Sequence, residues 1–387
     1  MNMLSQQLRY WSGLALLSVV AAGLISGCSS PREFAKPVEL QDIDPTVSLE
    51  TAWRADAGRD QKSKLTAIAP VVTESLVIVA DPTGVVRAYA QDTGERVWRT
   101  ELDSALSAGG GADENLVVFG GERGEVVALN VENGAQLWDK NIRASVDTAP
   151  AVAFDRVLVR AKNGASLLLN AADGARIWRV AKSPPPLTLH GQSQAIMFPD
   201  AVALGFDDGS FGVYERDSGR EIWTTQVAQP SGRTDVDRMV DIDATPAFAD
   251  GVFYIGTYQG ELAAIAAEGG RTLWSRDFST YQDIALDARA LYVVDEDSVL
   301  WAIDRRSGET LWRQPDFMYR SLTAPAQLDA YLLVGDFEGY LHVIERETGT
   351  NVGRTELNDA VISPLAVADE RLFVVTRGGR LYALTLP

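Results

Sequence analysis

Asp92-Thr93-Gly94-Glu95-Arg96-Val97-Trp98 returns as Glu132-Asn133-Gly134-Ala135-Gln136-Leu137-Trp138, and again as Asp217-Ser218-Gly219-Arg220-Glu221-Ile222-Trp223. Tryptophans stand at 53, 98, 138, 178, 223, 274 and 312, with Gly353 where an eighth is due. All these positions but the first have glycine four residues earlier, at 94, 134, 174, 219, 270, 308 and 349. An acidic residue or Asn beside Gly suits the positive-φ positions of a tight hairpin. Before each turn lies an alternating or apolar strand, such as Val85-Val86-Arg87-Ala88-Tyr89 or Leu341-His342-Val343-Ile344. A second hairpin precedes it at Gly84, Gly124, Gly164, Gly209, Gly260 and Gly339. A further strand opens at Pro70, Pro150, Pro246 and Pro325, where proline is tolerated because it begins the strand.

Each unit therefore holds four short antiparallel strands in roughly 40 to 45 residues, which is one propeller blade with its tryptophan on the outer strand. Eight slots predict an all-β, eight-bladed β-propeller over residues 47–387. The last blade lacks an outer strand after Arg380-Leu381-Tyr382-Ala383-Leu384, and Leu49-Glu50-Thr51-Ala52-Trp53 supplies it. The ring closes by joining its N- and C-terminal strands, which removes open sheet edges between blades.

Composition narrows the function. The chain has 387 residues, 53 acidic against 35 basic side chains and a formal charge of −18, so clustered phosphate neutralisation is absent and nucleic acid is excluded as a partner. One cysteine rules out a disulfide framework within one chain, and two histidines leave little for a transition metal.

Residues 1–27 carry Arg9 and then the short apolar run Leu14–Gly23, the order of a secretory signal peptide rather than a membrane span. Leu24-Ile25-Ser26-Gly27-Cys28 follows and resembles the lipobox of bacterial lipoproteins. That resemblance implies cleavage after Gly27 and acylation of Cys28. Ser29, in place of Asp, implies sorting to the outer membrane. Residues 28–46 contain Pro31, Pro37 and Pro45 without apolar periodicity and read as a flexible tether spanning about 20–25 Å.

The Gly-x-x-x-Trp ring is similar to the repeat of pyrroloquinoline quinone (PQQ) enzymes, which as a family place quinone and Ca²⁺ on the axis. The alternative function is accordingly a PQQ-dependent dehydrogenase-like or ligand-sensing propeller. Those enzymes typically use a vicinal cysteine pair, and this chain offers only Cys28. No cofactor, metal site or catalytic constellation is expected. His190 and His342 fall in different blades with no obvious Ser or Asp partner in the sequence, and Gly109-Gly110-Gly111 lacks the Lys-Ser/Thr of a phosphate loop.

Departures from the repeat point to function, because insertions in one unit are not needed to build the ring. Trp223 to Pro246 takes 23 residues where Trp138 to Pro150 takes 12. The excess includes Arg233-Thr234-Asp235-Val236-Asp237-Arg238-Met239-Val240-Asp241-Ile242-Asp243. The preceding connection is also long and holds Ser183-Pro184-Pro185-Pro186-Leu187-Thr188-Leu189-His190-Gly191. Equivalent connections leave the ring on one face, so the two loops should adjoin. Their spacing alone suits a partner-binding edge and an ordinary loop folded back on the ring equally.

Lipobox, eight blades, the Leu-Thr-Leu-His-Gly loop and the Asp-Arg-Met-Val-Asp-Ile-Asp loop together resemble the BamB family, lipoproteins of the outer-membrane β-barrel assembly (BAM) machinery. The resemblance covers the whole chain. It implies a non-enzymatic scaffold, anchored through Cys28 to the outer membrane and facing the periplasm, that binds the periplasmic POTRA domains of BamA. Unfolded outer-membrane proteins are its implied clients. Carried over residue by residue, Leu187 and Leu189 would be apolar contacts and Asp241 and Asp243 acidic ones. The family commonly has Arg at the position of His190, and a neutral His forfeits a bidentate charge-assisted bond.

Overall fold

The computed structural model describes residues 35–59, 68–189 and 193–387. The signal segment, Cys28 and His190 lie outside the described residues. The chain divides after Lys36, and the compact unit Pro37–Pro387 carries every described strand.

Blade 1 sets the pattern: Val71–Val72, Leu76–Ala80, Val85–Ala90 and Arg96–Glu101 pair in that order, all antiparallel. Six more four-stranded sheets repeat it, each opening one residue after a proline where the sequence supplies one. The eighth is composite. Ala366–Ala368, Arg371–Val375 and Arg380–Thr385 take Glu50–Asp56 as their outer strand, with Trp53 opposite Ala383. An eight-bladed propeller closed by its two chain ends is thus the observed fold.

Its core is divided. Each of eight apolar clusters draws side chains from two successive blades, because a short twisted sheet presents an apolar surface on both sides. One of them, with Val77, Val79 and Tyr89 against Phe373, Leu381 and Ala383, joins the last blade to the first.

The repeated glycine and tryptophan are two halves of one contact between neighbours. The Trp138 indole of blade 2 lies over the Gly174 turn of blade 3 and donates its N–H to the Ala171 carbonyl at 2.7 Å. Gly174 has φ +66°, and a Cβ there would sit 2.7 Å from the indole ring, so both backbone and space require glycine. The six other repeat tryptophans donate to carbonyls at 91, 131, 216, 267, 305 and 346, at 2.6–3.1 Å.

The eighth slot is empty for a structural reason. Blade 8 has no hairpin before its outer strand, so no turn glycine exists for a blade 7 tryptophan to cover. Gly353 stands there instead, and the entering chain takes the space: Thr46 and Val47 both donate N–H to the Val352 carbonyl, and a Cβ on Gly353 would collide with the Val47 oxygen. The second hairpin position departs twice: Gly260 lacks a positive φ, Gln259 taking the left-handed conformation at φ +49°, and in blade 6 Ser298 stands in place of glycine at φ +66°.

The stretch read as a flexible tether is in part bonded to the ring. The Val38 N–H donates to the Met318 carbonyl at 3.0 Å, the Val38 carbonyl accepts from buried Arg320 at 3.1 Å, and Arg354 donates to the Gln41 carbonyl. Leu40 packs against the blade 6–blade 7 cluster. Arg320 is itself held by Asp336, which also meets His342 at 3.1 Å, so His342 has the Asp partner that the sequence did not disclose, six residues away across a hairpin. His342 is fully buried against Phe317, and that burial depresses its pKa, so it serves the packing of blade 7 as a neutral ring.

Removing one interlock should be costly. Trp138→Ala is expected to lower unfolding free energy by about 3–5 kcal/mol. Gly174→Ala should also destabilise although it deletes nothing, and urea unfolding followed by fluorescence measures both.

Candidate partner-binding site

Two long connections, 182–195 after blade 3 and 227–246 after blade 4, leave the ring on the same face. They touch: the Ser193 N–H donates to the Ile242 carbonyl at 3.3 Å, and that of Gln194 to Thr245 Oγ1 at 3.4 Å. The stem of the first is fixed by Lys182, whose backbone donates to Gly164 and whose Nζ meets Ser210 Oγ at 2.7 Å, above the Phe206 ring. Three consecutive prolines then restrict the backbone and project Leu187, which is 40% exposed. Leu189 is half-buried.

The second connection has a tip and a base. At the tip, Asp237 folds the chain on itself by accepting from the Arg233 and Thr234 amides, and Val236 is 53% exposed. The base, Met239–Ala244, is buried. Ile242 fills the space that Gly205 leaves, and the Tyr258 N–H donates to the Asp241 carbonyl. The four aspartates of this connection therefore divide: Asp235 and Asp237 are exposed, while Asp241 and Asp243 are 1% and 9% exposed.

Among the described residues the four carboxylate oxygens of Asp241 and Asp243 are buried without a partner at full hydrogen-bond geometry, the Leu189 backbone being the polar group that approaches Asp241. Burial pushes the Asp241 carboxyl up to about 7, helped by the nearby Asp207 charge; the Leu189 backbone pulls the other way. Burial pushes Asp243 up to about 8, reinforced by Asp241 and Asp207 and opposed by Arg160. Arg160, at 4% exposure, donates to the Ser193 carbonyl and hydroxyl at 2.6 and 2.8 Å, joining the two loops to blade 3. Leaving buried acceptors unmade is expensive, and a cationic donor brought to them would relieve that cost.

Sequence reasoning named Asp241 and Asp243 but missed Asp207 and Arg160. Arg160 had left a signal, as the one charge inside the apolar strand Val157-Leu158-Val159-Arg160-Ala161. Asp207 had left none, since Asp207-Asp208-Gly209 reads as ordinary hairpin chemistry.

This ring, with its departures gathered in two adjoining loops, is an eight-bladed propeller of PQQ-like repeats. The sequence profile described as "Outer membrane protein assembly factor BamB" matches residues 82–314 and 319–386. The protein of that name from Alkalilimnicola ehrlichii is 49% identical over 96% of this chain and 97% of its own, and that of Escherichia coli is 31% identical over 96% and 98%. BamB from Moraxella catarrhalis superposes with TM-score 0.80 at 26% identity, over 87% of this chain and all but 1% of that one. The chain belongs to the BamB family. Quinohemoprotein alcohol dehydrogenase from Comamonas testosteroni, at TM-score 0.70 and 13% identity over 87% of this chain and 76% of its own, shares the fold alone. Among the described residues no group of three or more His, Cys, Asp or Glu is placed to hold a metal ion.

The raised carboxyl pKa values fix a sign for stability. Between the unfolded value of 3.8 and about 8, the folded state binds more protons than the unfolded one, so these two groups lower stability as pH rises. Asp243→Asn should accordingly raise the melting temperature at pH 8 and change it little at pH 4. A scanning-fluorimetry series that shows the same gain at both values would contradict the assignment.

Proposed function

We propose that this chain is the lipid-anchored propeller subunit of the outer-membrane β-barrel assembly machinery. Its loop face docks on the periplasmic POTRA domains of BamA, and it assists folding and insertion of outer-membrane proteins without catalysing a reaction. Family membership supports the assembly role, and the lipobox at Cys28 supports the anchor at the outer membrane, facing the periplasm. One observation supports the docking site: buried Asp241 and Asp243, without a satisfying partner among the described residues, lie in the loop that meets the Leu189 backbone, two residues from exposed Leu187.

The physical logic is that of a small hot spot. Leu187 and Leu189 offer apolar area that a partner can cover, while the carboxylates of the adjoining loop take a cationic side chain in a desolvated setting. Buried charges repay their desolvation only when the partner's geometry is right, so this pair serves selectivity more than raw affinity. The anchor adds the rest. Holding both proteins at one membrane raises their effective concentration, and a modest interface then suffices. His190, at the position where the family commonly carries Arg, belongs to the same stretch; a neutral ring would make that contact weaker.

Capture of BamA from native membranes by the lipidated chain tests the reading. Leu187→Ala should weaken capture by about 2 kcal/mol, and Asp241→Asn should abolish it while leaving the fold at least as stable at pH 8. Undiminished capture by the double variant would remove these residues from the interface. Cys28→Ala should release a folded protein into the soluble fraction, since stable anchoring requires the acyl chains.

A further inference from the structure

We propose that the groove between blades 2 and 3 binds an extended acidic polypeptide segment. The groove has a volume of about 490 Å³ and runs along the outer strands Gln136–Asn141 and Arg176–Ala181. Lys140, Arg143, Arg176 and Arg179 line it, together with Leu167 and Leu169, and no acidic side chain does. In a chain with 53 acidic and 35 basic residues, four cations and no carboxylate in one groove is a reversal of the overall balance.

The four are available. Each is exposed, and among the described residues none of them enters an ion pair. Other surface arginines of this ring are engaged, Arg156 and Arg216 by Asp217 and Arg371 by Asp92, for example. The groove cations are also aimed by the backbone. Arg176 stands opposite Leu169 and Arg179 opposite Leu167 in the ladder, so charge and apolar floor share one face. The Lys140 stem lies across the Gly174 turn, its Cε 2.9 Å from where a Cβ would be. Arg143 adopts φ +62°, its amide held by Asn141 Oδ1 at 2.8 Å.

Spacing selects the ligand. Across the bulge Arg176 and Arg179 stand opposite residues two apart, roughly 7 Å, farther apart than the oxygens of a single phosphate. Lys140 and Arg143 extend the charge along the opposite wall. Leu137 and Ile177, 49% and 40% exposed, stand on the two flanking strands. A partner with carboxylates at intervals and apolar residues between them fits this pattern, which is that of an extended chain. The neighbouring groove between blades 1 and 2 has similar volume, about 550 Å³, and the opposite sign, with Glu74, Asp113, Glu114 and Glu132 on its walls and no cation. The two grooves thus differ in sign, and this site is independent of the loops that carry the docking proposal.

The test uses the full mature chain with Cys28→Ala and a short fluorescent peptide alternating glutamate and valine, with the glutamine–valine peptide as control. Anisotropy should show saturable binding of the glutamate peptide that weakens with added salt. Lys140→Glu with Arg179→Glu should lower affinity by about tenfold or more, with an unchanged circular dichroism spectrum, whereas Arg99→Glu on blade 1 leaves it intact. No binding, equal binding of the glutamine peptide, or full binding by the double variant would each overturn the proposal. Phosphatidylglycerol vesicles supply the competing source: binding to them through Lys140 and Arg179, with no binding of the peptide, would make the groove a lipid-headgroup site and also overturn it.

Discussion

The indole of one blade seated on the turn glycine of the next is the contact on which the ring depends. It does three things at once: it buries on the order of 200 Å² of aromatic surface, satisfies the indole N–H with a neighbouring carbonyl, and fixes the angle between blades. Because the contact is made in one direction around the ring, each unit needs both a donor and an acceptor half. The seam obeys the same rule by omission. Where the chain enters, blade 8 has no turn to offer and blade 7 has no tryptophan to place, and the entering backbone occupies the gap over Gly353.

This also explains how much of the molecule could be read from its residues. A positive-φ glycine four positions before a tryptophan is a steric requirement repeated in nearly every unit, so the blade count, the strand order and the closing strand were all legible. Burial of Asp241 and Asp243 was not. Polar residues in a long insertion read as exposed, and the charges that meet Asp243, Arg160 and Asp207, lie 83 and 36 residues earlier in the chain and adjoin it only in the fold. Val38–Val47 was illegible for a related reason. An extended segment has no periodicity of its own, and its partners, Met318, Arg320 and Val352, lie nearly three hundred residues downstream.

Two kinds of surface thus sit on one rigid frame. The loop face concentrates cost: prolines, an exposed leucine and carboxylates that would be more stable as amides. The outer wall concentrates charge without that cost, since its lysines and arginines remain solvated. Each outer strand also carries a bulge where the tryptophan turns inward, which twists its free edge and, with the alternating charges there, discourages indiscriminate strand pairing. A frame with guarded edges can afford selective surfaces, because the selectivity is not undone by the backbone beside it.

Closure by Glu50–Asp56 against Arg380–Thr385 has a consequence in time as well as in space. The first strand of the ring to be synthesised is paired with the last, so no intermediate length of chain can complete the circle. Blades 1 to 7 can form locally from contiguous sequence, but the eighth waits for the C-terminus and spans a separation of more than three hundred residues. Long-range closure of that kind is slow and comes late. The ring consequently stays open-ended until the whole chain is available, and its last blade is completed by the first strand made.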